Sequence, residues 1–145
     1  MGCPTFACVP MMFLDLGIIP LKVILIQRRL MYLHYILQQK EESLLSQCFQ
    51  AQVKEQLKGD HIIQIQEDLK SVNIQLTFEQ IKQMTKASFS RYLKDKIKTH
   101  AFQILMYEKS CQRKCFDIQY EKLELQEYIL HDSLSIQQKK LLFQL

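Results

Sequence analysis

From Leu21 to Leu145 the chain contains no proline and a single glycine, Gly59. Sandwiches and barrels need tight turns, and tight turns draw heavily on those two residues. The expected fold class is therefore mostly α, an irregular multi-helix bundle. A length of 145 residues suits one domain with one core. Hydrophobic residues at 48% and charged residues at 23% argue against a wholly disordered tail. Glutamine is abundant but scattered among apolar positions, which reads as the solvated side of helices and not as a low-complexity tract.

Residues 1–19 read as a lead and residues 20–145 as a helical module. In the lead, Pro10 suits a first helical position and Gly17 the residue just past a helix end, so "PMMFLDLG" is a short helix or apolar turn. Pro20 opens the next element. From Leu21 to about Gln39 apolar residues fall at almost every helical angle, the pattern of a helix enclosed by neighbours. Two arginines interrupt it. On a helical projection Arg29 falls near Lys22 and Lys40, forming a basic stripe, while Arg28 falls between Ile24, Tyr32 and Tyr35. The projection predicts that Arg29 contacts a phosphate and that Arg28 fixes packing.

"EESLLSQCFQAQVKEQLKG" spaces Leu44, Leu45, Cys48, Phe49, Val53 and Leu57 as an amphipathic helix, with Gly59 as the cap past its end. Asp60 is placed to cap a following helix whose stripe is Ile62, Ile63, Ile65, Leu69 and Val72, stopping near Asn73. Thr77 and Gln80 have capping-box spacing, and Phe78, Ile81 and Met84 continue the face. A longer helix is expected from about Lys86 to Lys109, with Phe89, Leu93, Ile97, Ala101, Ile104 and Leu105 on one side. Cys111 to Phe116 forms a polar break, and "LELQEYIL" leaves strand and helix both open. Ser135 and Gln138 repeat the capping-box pattern before "IQQKKLLFQL", a helix without a stop signal, as in an incomplete piece of a larger protein.

The net charge of +4 is unevenly distributed. Residues 86–114 hold eight Lys or Arg against two acids, and no other region approaches that excess. "FSRYLKDKIKTH" sets Arg91, Lys94 and Lys98 at helical steps, with Lys96 on an adjacent face and Tyr92 interleaved. Phosphates are attracted to such a row; a plain solvated face is the alternative.

Other functional classes lose ground. Three isolated glycines rule out a P-loop, a dinucleotide-binding glycine motif and a nucleophile elbow. The four histidines are far apart and form no zincin pattern, so neither catalysis nor a cofactor is expected of this chain. Cys111 and Cys115 flank "QRK", a weak zinc signal with His131 as the nearest further ligand; free thiols are the simpler reading. Five cysteines without scaffold spacing suggest reduced thiols and an intracellular protein, nuclear or cytoplasmic. No myristoylation signal fits, with Phe6 at the sixth position, and no basic residue precedes Lys22 as a secretory signal requires. Asp15, Lys22, Arg28 and Arg29 break every window long enough to span a membrane.

The stretches "LDLGIIPLKVILIQRRLMYLHYIL", "EESLLSQCFQAQ", "KGDHIIQIQEDL", "LTFEQIKQMTKASFSRYLKDKIKTHAF" and "QQKKLLFQL" occur in that order from about residue 12 to residue 145. Together they resemble a segment near the C-terminal end of the open reading frames of non-LTR (LINE-like) retrotransposons. The most specific pieces are the Leu-Gly step before Pro20, "RRL" followed by "YLHYIL", the "KGD" step and "KKLLF". In that family the segment follows the polymerase fingers, palm and thumb and often precedes a zinc knuckle. The polymerase Y-x-D-D box and the knuckle ligands have no counterpart here, and "MGCPTFACV" does not match.

The resemblance implies a non-catalytic helical piece of an RNA-directed DNA polymerase that helps hold template RNA or target DNA. Candidate phosphate contacts are Arg28 and Arg29, from the family-like "RRL", and Lys94, Lys96 and Lys98, from charge spacing. The alternatives are a protein-interaction module that docks a partner or a second copy through residues 44–57 and 136–145, and a relic of a mobile element without present function.

Overall fold

The computed structural model describes residues 8–57, 59–111 and 119–124. These residues are mostly helical, form six α-helices and contain no strand. The multi-helix expectation holds, and most helix ends show why the chain turns where it does.

Helix α1 (Val9–Leu16) has Pro10 in its first turn and ends at Gly17, whose φ of 64° suits a residue without Cβ. The Gly17 and Ile18 amides bond back to the carbonyls of Leu14 and Phe13. Helix α2 (Leu21–Leu37) follows Pro20. Helix α3 (Leu44–Glu55) starts at Ser43, whose Oγ accepts from the Ser46 amide at 3.2 Å. It stops earlier than expected. Gln56, at φ 48°, takes the left-handed cap position assigned to Gly59, and Leu57 lies beyond the helix, exposed.

Helix α4 (His61–Ser71) begins after Asp60 as expected, but the Asp60 side chain does not cap it. Its Oδ2 instead accepts from the Leu57 amide at 2.9 Å and closes the turn between α3 and α4. Helix α5 (Phe78–Gln83) carries the full capping box: the Gln80 amide donates to Thr77 Oγ1, and the Thr77 amide donates to Gln80 Oε1. Met84 lies just past its end. Helix α6 (Lys86–Cys111) starts behind Thr85, whose Oγ1 accepts from the Ser88 amide.

The chain divides into two compact units. One comprises residues 21–97, in which α2 packs against α3, α4 and α5, and α3 against α4. Val23, Leu30 and Leu33 of α2, Ile62 and Ile65 of α4, Ile81 of α5, and Phe89, Leu93 and Ile97 of α6 are wholly buried. Burying each such side chain contributes roughly 1.5–3 kcal/mol. His34 joins this interior. Its ring stacks on Phe89 at 5.1 Å, and its Nε2 lies 2.9 Å from the Met84 carbonyl. A carbonyl only accepts, so Nε2 carries the proton.

The other unit comprises residues 1–20 and 98–145. Among its described residues, Met11, Leu14, Ala101, Leu105, Tyr120 and Leu123 are buried. Tyr120 Oη donates to Asp15 Oδ1 at 2.6 Å, and Lys109 Nζ sits 5.5 Å from the centre of the Tyr120 ring.

Helix α2 differs from the enclosed helix that its composition suggests. Val23, Ile26, Leu30, Leu33 and Ile36 form a buried stripe, but Leu21 is 70% and Tyr35 55% exposed, with Leu25 and Tyr32 also open. Apolar composition does not force burial, because folded surfaces routinely retain apolar side chains. No single helix among the described residues is long and apolar enough to cross a membrane. The expectations for residues 125–145, including the Ser135 cap, all of "LELQEYIL" after Glu124 and the final apolar helix, lie outside the described residues, as do Cys115 and most of the polar break.

Candidate nucleic-acid interface

Helix α6 buries Phe89, Leu93 and Ile97 at four-residue steps, which fixes the direction of its remaining side chains. Arg91, Lys94 and Lys98 then fall within an arc of about 60° on the opposite side, and all three are exposed. Asp95, also exposed, lies about 40° beyond that arc, one turn from Arg91 and from Lys98, and offsets part of its charge. Lys96 is separate. It is half-buried about 140° around the helix from Arg91, near the direction of buried Phe89, with Nζ 5.7 Å from the centre of the Tyr92 ring one turn back, a cation–π arrangement. Lys94 and Lys98 thus share one row, whereas Lys96, expected on an adjacent face, lies on the far flank toward the core.

Lys98 meets a further charge. Glu124, hydrogen-bonded by the Lys122 ammonium at 2.9 Å and more weakly influenced by Lys98, has its carboxyl held below its ordinary value. Both members of the Lys122–Glu124 pair are solvent-exposed, so the pair contributes little to stability.

The two arginines of α2 exchange the roles that the projection gives them. Arg29 Nε donates to Asp68 Oδ2 at 2.6 Å, and Arg29 Nη2 donates to Asp68 Oδ1 at 2.9 Å. The Asp68 side chain is only 4% exposed, and that of Arg29 33%. Such a two-pronged, charge-assisted pair fixes α2 against α4. The carboxylate raises the Arg29 pKa above its already high ordinary value, outweighing the opposing effect of partial burial. A guanidinium neutralised in this way has little field left for a phosphate. Arg28 instead is exposed. Arg29 therefore fixes packing, and Arg28 is the arginine open to a ligand.

The projection fails because it describes α2 alone, and the partner lies 39 residues further on. A signal was present: Asp68 is an acid set three residues after Ile65 on the otherwise apolar stripe of α4. A buried carboxylate needs a cation.

The described residues hold no group of three or more His, Cys, Asp or Glu side chains that could bind a metal. Cys48 and Cys111 are free and exposed. Cys8 is disulfide-bonded, contrary to the expectation of five reduced thiols. No family model, curated protein or solved structure matches the chain.

Proposed function

We propose that this chain is a non-catalytic, nucleic-acid-contacting helical segment of a retrotransposon-type RNA-directed DNA polymerase polyprotein, acting on template RNA or target DNA. The reading of origin is supported by the ordered resemblance from about residue 12 to residue 145. The reading of nucleic-acid contact is carried by one observation, the row of Arg91, Lys94 and Lys98 exposed along one side of α6. Three cations at one-turn spacing, on a helix anchored by its opposite face, present fixed charge to a phosphate backbone.

Within this reading Lys94 and Lys98 are the principal phosphate contacts, joined by Arg91. Arg28 contributes from α2. Lys96, turned toward Tyr92, and Arg29, engaged by Asp68, contribute least. Retention of the chain on heparin or duplex DNA at ~0.2 M salt tests the proposal, since contacts of this kind weaken steeply with salt. Elution in a low-salt wash would mean that the row is a solvated face.

A further inference from the structure

The open side of α2 carries Leu21, Leu25, Arg28, Tyr32 and Tyr35, spaced four, three, four and three residues apart. At 100° per residue these five share an arc of about 80°. Two features distinguish the C-terminal part of the stripe. Tyr32 and Tyr35 are 46% and 55% exposed, and their rings lie nearly parallel, 6.1 Å between centres with 20° between planes. Beside them is a cleft of about 400 Å³ lined by Met31, Tyr32, His34, Tyr35, Gln38 and Lys86. His34 is fixed there by its bond to Met84 and its stack on Phe89, so one wall of the cleft is rigid.

We propose that Tyr32 and Tyr35 form a stacking platform for the bases of a single-stranded nucleic acid, with Arg28 and Lys86 receiving the flanking phosphates. Each part of the proposal has its own ground. Unpaired bases stack on exposed aromatic rings with little regard to sequence, because every base presents a π face. The Arg28 guanidinium lies one turn before Tyr32 on the same side of the helix, within reach of the backbone of a strand whose base rests on that ring. Among the described residues no acid lines the cleft, and both charged residues at the site are cations.

The charge also argues against a second copy of α2 as the occupant. An antiparallel pairing of two such stripes would centre near Arg28, bringing two guanidinium groups together in an apolar seam. A base-paired duplex offers no accessible base faces along its length, so the platform selects single strands. This inference rests on the reading of nucleic acid as the partner. It differs in assigning single-strand recognition to the aromatic side of α2, with residues other than those of the phosphate row of α6.

The test measures fluorescence anisotropy of the full chain with a labelled 12-nucleotide DNA strand and with the same sequence as a duplex. Wild type is compared with Tyr32→Leu/Tyr35→Leu and with Lys94→Gln/Lys98→Gln. Leucine preserves helix propensity at these open positions, and circular dichroism verifies the fold. The tyrosine variant should lose roughly fivefold or more of its affinity for the single strand, the lower end of what one stacked base contributes, and keep its affinity for the duplex.

Equal loss on both ligands, or no loss on the strand, would overturn the platform while leaving the α6 reading intact if the lysine variant still weakens duplex binding. Tyrosine-dependent strand binding, together with duplex binding that is indifferent to the two lysines, would support the platform and remove the α6 reading. No binding of either ligand by wild type would remove both. Sedimentation provides a further arm: a self-association abolished by the tyrosine variant would make the stripe a protein interface and overturn the proposal.

Discussion

Arg29 holds Asp68 with two parallel hydrogen bonds of 2.6 and 2.9 Å, joining the middle of α2 to the last turns of α4 across 39 residues of sequence. Asp68 also has Gln64 Nε2 at 3.4 Å from Oδ1, a long and weak contact. Removing the arginine therefore leaves a nearly buried carboxylate without a strong donor.

Replacing Arg29 with Gln should destabilise the fold by about 1–3 kcal/mol. This is less than the loss for a fully buried pair, because a third of the Arg29 side chain reaches solvent. Arg28→Gln should stay within about 0.5 kcal/mol of wild type, as substitutions at open positions usually do. Urea melts of the two variants measure the contrast, and equal effects would contradict the assignment of the two arginines.

The same pair sets an expectation for pH. A group whose pKa is higher in the folded state contributes its full stability below its unfolded pKa and loses it only as pH rises through the folded one. For Arg29 that window lies above about pH 12. The stability difference between wild type and Arg29→Gln should therefore be constant from about pH 6 to pH 9. Melts across that range, with a difference changing by more than about 0.5 kcal/mol, would show that another titrating group is coupled to the pair.

Thr77→Ala should cost about 1 kcal/mol through loss of the Oγ1 acceptor at the start of α5. Hydrogen exchange at the Gln80 amide provides the local measurement. Its protection should fall more than that of amides in the middle of α2.

Much of this architecture follows from short-range rules that a sequence displays. The Gly17 cap, the Thr77–Gln80 box and the Phe89, Leu93, Ile97 stripe each depend on residues within a turn or two of one another, and each occurs where spacing predicts it. What sequence left unresolved depends on distant partners or on competition between local bonds. Gly59 lost the α3 cap to Gln56, and Asp60 spends its side chain on Leu57. The roles of Arg28 and Arg29 were reversed because only the position of α4 decides which of two adjacent side chains finds a carboxylate. Helix α2 looked enclosed because apolar content does not distinguish Val23, wholly buried, from Leu21, largely open.

Asp95 lies beside the α6 row, one turn from Arg91 and from Lys98, and partly cancels its field. Asp95→Asn should tighten duplex binding by roughly two- to fivefold at ~50 mM salt, with a smaller gain at ~0.2 M as screening shortens the reach of the charge. Anisotropy titrations at the two salt concentrations measure it, and weaker binding would mean that Asp95 organises the row instead of opposing it.

The most direct measurement is the salt dependence of duplex binding by wild type and by Lys94→Gln/Lys98→Gln, taken between ~50 and ~200 mM salt. Each cation that displaces a counterion contributes about 0.9 to the slope of log affinity against log salt, so the double variant should bind more weakly with a slope shallower by about 1.8. An unchanged affinity and slope in a variant that melts like wild type would contradict nucleic-acid contact through α6.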